Sequence, residues 1–136
     1  MRSSPRLMKE QDGYFLHIAY CNKIYRLCNC KQFEYMDQID FINLMNLRPT
    51  RKKVKVCPRQ KGKVYYLLLT LSEHLEKQWL ADKWISSVLD LCGLNRTSYD
   101  SHFTDVKNSD KYKDKAYREC VKEAIEHAKF LKSRMD

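Results

Sequence analysis

Apolar positions along this chain change their spacing as it proceeds, and each change predicts a different kind of element. From Gly13 they alternate: Tyr14, Leu16, Ile18 and Tyr20 fall opposite Phe15, His17 and Ala19, the period-two pattern of a strand. Cys21-Asn22-Lys23 reads as a turn, 24–28 as a second strand, 29–32 as another turn and 33–36 as a third strand. Residues 37–47 fit two descriptions, because Ile39, Phe41, Ile42, Leu44 and Met45 suit a strand or a short helix; strand is the preferred reading. Lys53-Val54-Lys55-Val56-Cys57 alternates charge with apolar side chains, and 58–62 forms a loop leading into a buried strand over 64–69.

Beyond that strand the spacing becomes helical. Ser72 is a candidate N-cap, with Glu73 in the first turn where the helix dipole favours an acid. Leu75, Trp79, Leu80, Trp84, Val88, Leu91 and Cys92 then recur mostly at three- and four-residue steps, and Gly93 stands where a terminating glycine belongs. Residues 94–110 are polar. A second helix over 111–134 carries a stripe of Tyr117, Cys120, Val121, Ala124, Ile125, Ala128 and Leu131, with Lys122, Glu126 and Lys129 spaced for pairing on its polar face. The expected architecture is α+β: a flexible lead over 1–12, a strand-rich domain over 13–95, then a linker and C-terminal amphipathic helix over 96–136.

Composition narrows the function. A chain of 136 residues makes one domain, and 43% hydrophobic residues suffice for a core. The net charge of +9 makes polyanions the natural partners: phospholipid headgroups, nucleic acid or acidic protein surfaces. No apolar run reaches the roughly 20 residues that span a bilayer, and MRSSPRLMKEQDG lacks a signal-peptide apolar region. An intracellular, cytoplasmic protein with peripheral membrane association is expected, or a nuclear one if nucleic acid is the ligand.

The six cysteines (Cys21, Cys28, Cys30, Cys57, Cys92 and Cys120) are then reduced thiols. Cys21, Cys28 and Cys30 lack paired zinc-ligand spacing, and His17, His74, His102 and His127 are scattered, so no metal site is expected. With three glycines there is no phosphate loop, and neither a nucleophile elbow nor a zinc-protease motif occurs. Glu73-His74 and Asp100-Ser101-His102 are adjacent in sequence only, which is not catalytic geometry. A non-enzymatic binding module without a cofactor is the expected class.

Its anion-binding residues are expected in the most one-signed stretch. Arg48, Arg51, Lys52, Lys53, Lys55, Arg59, Lys61 and Lys63 follow one another without an intervening acid. The bland alternative is a solvated face whose lysines discourage edge-to-edge pairing. With Lys23 from the turn before the second strand and Arg26 within that strand, the basic residues from Arg51 to Lys63 form the candidate anion site.

Two stretches resemble known families. Asp82-Lys83-Trp84-Ile85, Asp90-Leu91-Cys92-Gly93-Leu94-Asn95 and Tyr65-Tyr66-Leu67 are similar to the end of the pleckstrin homology (PH) domain in Gab-type docking proteins, over residues 64–95. Gly13-Tyr14-Phe15-Leu16 suits that family's first strand. The resemblance implies a curved antiparallel sheet of six to seven strands capped by the Trp84 helix, with phosphoinositide binding and a signalling adaptor role at membranes. Residues 84–103, WISSVLDLCGLNRTSYDSHF, also resemble a helix-turn-helix of the TetR or insertion-sequence transposase kind. That resemblance implies a helix break at Gly93 and a recognition helix offering Arg96, Thr97, Ser98 and His102 to DNA.

Overall fold

The apolar run at 64–69, expected as a strand, is the middle of a helix. The structure, a computed structural model, describes residues 14–135, so the lead expected over 1–12 lies outside the described residues. Among the described residues the chain forms six α-helices: α1 (Ile18–Cys28), α2 (Gln38–Met45), α3 (Lys61–Ser72), α4 (Ala81–Leu91), α5 (Arg96–His102) and α6 (Tyr112–Met135). A 3-10 turn at Gln78–Leu80 precedes α4. Among the described residues extended pairing is confined to two isolated bridges, Asn29 with Phe33 and Phe33 with Val56. The α+β fold and the PH-like sheet expected over 13–95 are therefore overturned. The phosphoinositide-binding and adaptor roles that the resemblance implied lose their basis with it.

Burial explains each change of element. On α1 the buried residues are Ala19, Tyr20, Cys21, Ile24 and Cys28, a helical stripe that the alternation at 14–20 conceals. The buried His17 ring caps this helix, its Nδ1 accepting from the Ala19 N–H at 3.0 Å. On α2, Phe41, Leu44 and Met45 face the core. Helix α3 contacts α4, α5 and α6, so Val64, Leu67, Leu68 and Leu71 are buried and Tyr65 is covered on a further side by Tyr99. A helix surrounded in this way shows no dominant period, and its sequence is indistinguishable from that of a buried strand.

The expected Ser72–Leu91 helix is divided. Ser72 closes α3, its hydroxyl donating to the Leu69 carbonyl at 2.6 Å. Trp79 lies in the 3-10 turn with 77% of its surface exposed, whereas Trp84 is fully buried and donates its indole N–H to the Met45 carbonyl at 2.7 Å. Gly93, at φ +72°, ends α4 in the left-handed conformation that glycine adopts without strain. Helix α6 spans the C-terminal region where a helix is expected, with Tyr117, Val121, Ile125 and Ala128 buried and Cys120 exposed. Its contact with α1 is the most extensive between helices, and one hydrophobic cluster runs from Phe15 to Ala128.

Candidate functional site

In the segment that resembles a helix-turn-helix, α4 ends at Leu91 and α5 begins at Arg96. After Gly93, Asn95 caps α5 by accepting from the N–H groups of Thr97 (2.7 Å) and Ser98 (3.2 Å). Most of its polar side chains are taken up by partners within the chain. Arg96 binds Asp82 at 2.8 Å and Asp100 at 2.9 Å, and also donates to the Ser86 hydroxyl and the Asp82 carbonyl. The Asp100 hydrogen bond is the largest cause raising the Arg96 pKa above its ordinary value. His102 pairs with Asp105 at 2.8 Å, and the Ser98 hydroxyl accepts from Tyr65 at 3.1 Å. Thr97 is exposed. Two of the residues expected to reach DNA, Arg96 and His102, are thus paired with the acids Asp82, Asp100 and Asp105, and Arg96 is consumed in holding α4 to α5.

The basic stretch divides into two neighbourhoods. Arg51 is exposed, yet its guanidinium reaches Asp37 at 2.7 Å and Asp40 at 3.5 Å, while its own N–H donates to the buried Asp40 carboxylate at 3.0 Å. Lys52, Lys53 and Lys55 border a cavity of about 310 Å³ whose other wall carries Glu34, Asp37 and Asp40. With Arg51 that makes four cations against three acids, so the cavity supplies only a small net positive field. Lys23 and Arg26 lie on α1, Lys23 half-buried and Arg26 exposed in its last turn. Neither borders this cavity or the open cleft between the starts of α3 and α6.

Arg59 and Lys63 belong to the second neighbourhood. They border that open cleft, of about 430 Å³, and face Lys111, Tyr112, Lys113 and Asp114 across it. Lys61 is exposed at the first position of α3, outside the cleft lining. The two helix starts are pinned by Tyr117. Its hydroxyl donates to the Lys63 carbonyl at 3.4 Å, and the Lys63 ammonium sits 5.5 Å from its ring centroid. Burial raises the Tyr117 pKa well above its ordinary value, so this hydroxyl stays protonated and able to donate. Arg118 draws the preceding loop against α6 by donating to the carbonyls of Val106 (2.7 Å) and Ser109 (2.8 Å).

Four cations against one acid give this cleft a larger net positive charge than the first neighbourhood has. Tyr112 stands between two of those cations with 84% of its surface exposed. Lys111, Tyr112 and Lys113 lie outside the one-signed run that the sequence singles out, although Lys-Tyr-Lys-Asp-Lys at 111–115 interleaves cations with an aromatic residue. Among the described residues no cluster of His, Cys, Asp or Glu is placed to hold a metal ion. No helix among the described residues is long and apolar enough to cross a membrane. No protein family, curated protein or solved structure matches this chain.

Proposed function

We propose that the chain is a binding module for single-stranded nucleic acid, held across the cleft between the starts of α3 and α6. The observation that carries this reading is Tyr112, 84% exposed and flanked by Lys111 and Lys113, opposite Arg59 and Lys63. Solvation accounts for lysines on a surface and leaves an outward aromatic ring among them unexplained, since a ring gains from burial or stacking. A single strand supplies both missing partners. Its phosphates neutralise the cations and release counterions, and an unstacked base covers the ring. Duplex DNA hides its base faces and engages only the charges. The first helical turns of α3 and α6 also point unpaired backbone N–H groups toward this end of the molecule, which favours anions there.

Fluorescence anisotropy with a labelled polypyrimidine strand and with a duplex of the same sequence, over a range of salt, tests the reading. Replacing Arg59, Lys63, Lys111 and Lys113 together by Ala should weaken binding and flatten the log–log salt slope by roughly 0.7 for each phosphate no longer neutralised. Tyr112→Ala should cost the single strand about 1–3 kcal/mol while leaving the slope unchanged. Binding that ignores both changes would remove the cleft from the function. One observation, the helix break at Gly93, supports a helix-turn-helix reading instead. It requires duplex preference and sensitivity to Thr97→Ala rather than to Tyr112→Ala.

A further inference from the structure

A second row of cations runs along α6 on the side that meets α3. Lys115, Arg118, Lys122 and Lys129 recur at helical spacing, facing Tyr66 and Thr70 on α3 and His74 in the turn just after it. The two rows enclose a groove of about 610 Å³ with Ile125 among its apolar lining. That volume is within the range of small-ligand sites. Lys113 and Lys115 are two positions apart on one helix and so point to nearly opposite sides of it. The groove is thus distinct from the nucleic-acid cleft, and its ligand is inferred independently of that reading.

The groove is short of negative charge. Its four cations face Glu119 and Glu126 alone, and among the described residues Lys115, Lys122 and Lys129 form no ion pair. His74 shows the consequence. Its ring stacks on Tyr20 with centroids 5.3 Å apart and has no hydrogen-bond partner among the described residues. Burial pushes its pKa below the ordinary value and Lys129 pushes it further, against an opposing pull from Glu73 that outweighs the smaller push from Lys132. Lys132 is itself bound to Glu76 at 2.8 Å. An unpartnered imidazole and unpaired ammonium groups around one apolar-floored groove lack the same thing, a compact anion with several acceptor oxygens.

We propose that the α3–α6 groove binds a small phosphorylated molecule, its phosphate held by Lys122 and Lys129 and its remaining body lying against Tyr66 and Ile125. A phosphate among these groups reverses the local field, so His74 takes up a proton as the ligand binds. The test is NMR of the histidine ring resonances of the full chain titrated with inorganic pyrophosphate and, separately, with adenosine monophosphate. Saturable shifts of the His74 signals and a higher His74 titration midpoint at saturation are expected with at least one probe. Lys122→Gln with Lys129→Gln should weaken that binding roughly tenfold or more, while Lys113→Gln leaves it unchanged. Shifts that never saturate, or equal affinity in the Lys122/Lys129 variant, would overturn the site. Displacement of both probes by an oligonucleotide at lower concentration would overturn the small-molecule assignment and extend the nucleic-acid track into the groove.

Discussion

Asn46 spends most of its side chain on backbone and donates to the Cys21 Sγ at 3.8 Å as well. It is buried, and its Oδ1 accepts from the N–H groups of Phe15 (2.8 Å) and Leu16 (3.0 Å), while its Nδ2 donates to the Ile42 carbonyl at 3.0 Å. The residue therefore fastens the segment before α1 to the end of α2, over a sequence separation of about 30 residues. Asn46→Ala leaves two buried N–H groups without an acceptor, each costing about 1–3 kcal/mol. Urea unfolding of the variant should show a stability loss of about 3 kcal/mol; a loss within ~0.5 kcal/mol of zero, typical of a neutral surface change, would mean water replaces the amide. Asp40 illustrates the same economy with a charge. Buried at 2% exposure, it is held by the Arg51 N–H and guanidinium. That is why the one-signed run at 51–55, conspicuous in sequence, is partly neutralised in the fold.

Gly93 and Gly62 should respond in opposite directions to the same substitution. Gly93 terminates α4 at φ +72°, and a Cβ added there meets nothing within 4 Å, so the penalty is conformational alone. Gly93→Ala should cost about 1–2 kcal/mol. Gly62 lies inside α3, where an added Cβ meets Val106 Cγ2 at an ordinary 3.5 Å. Gly62→Ala should stabilise by roughly 0.5 kcal/mol, through helix propensity and a filled contact. Thermal melts of the two variants check the signs, and a destabilised Gly62→Ala would show that the start of α3 does not tolerate the extra methyl group.

Elements were legible where a single buried stripe runs long enough to show its period. Helix α6 has a single stripe from Tyr117 to Ala128, and its sequence period announces it. Helix α3 is enclosed by three neighbours, and α1 follows a short alternating run, so in both cases local pattern points to strand while tertiary packing makes helix. The same limit applies to the cleft. Arg59 and Lys63 stand out as part of a one-signed run, but their partners Lys111 and Lys113 are joined to them only by the packing of α3 on α6.

At the scale of the whole molecule, the distribution of thiols reports whether this packing is one unit. Cys21 and Cys28 lie on α1 and Cys92 follows α4, yet all three belong to the hydrophobic cluster that runs from Phe15 to Ala128. Burial pushes the Cys21 and Cys92 thiols up to about 12 and raises Cys28 as well. The thiolate is the reactive form, so these three are inert while the fold is intact. Cys30 and Cys120 are exposed and Cys57 is half-buried. With a thiol reagent at mildly alkaline pH, Cys30 and Cys120 should label promptly and Cys57 more slowly. Cys21, Cys28 and Cys92 should become reactive together, in one step along a urea series, because a single continuous core opens cooperatively. Mass spectrometry of the labelled peptides assigns each site. Labelling of Cys92 at lower urea than Cys21 and Cys28 would show that the α4–α5 end opens by itself. The α1–α6 pair would then be the more stable part, carrying the Lys115–Lys129 row of the groove, while the surface that Arg96 closes would be the first to come apart.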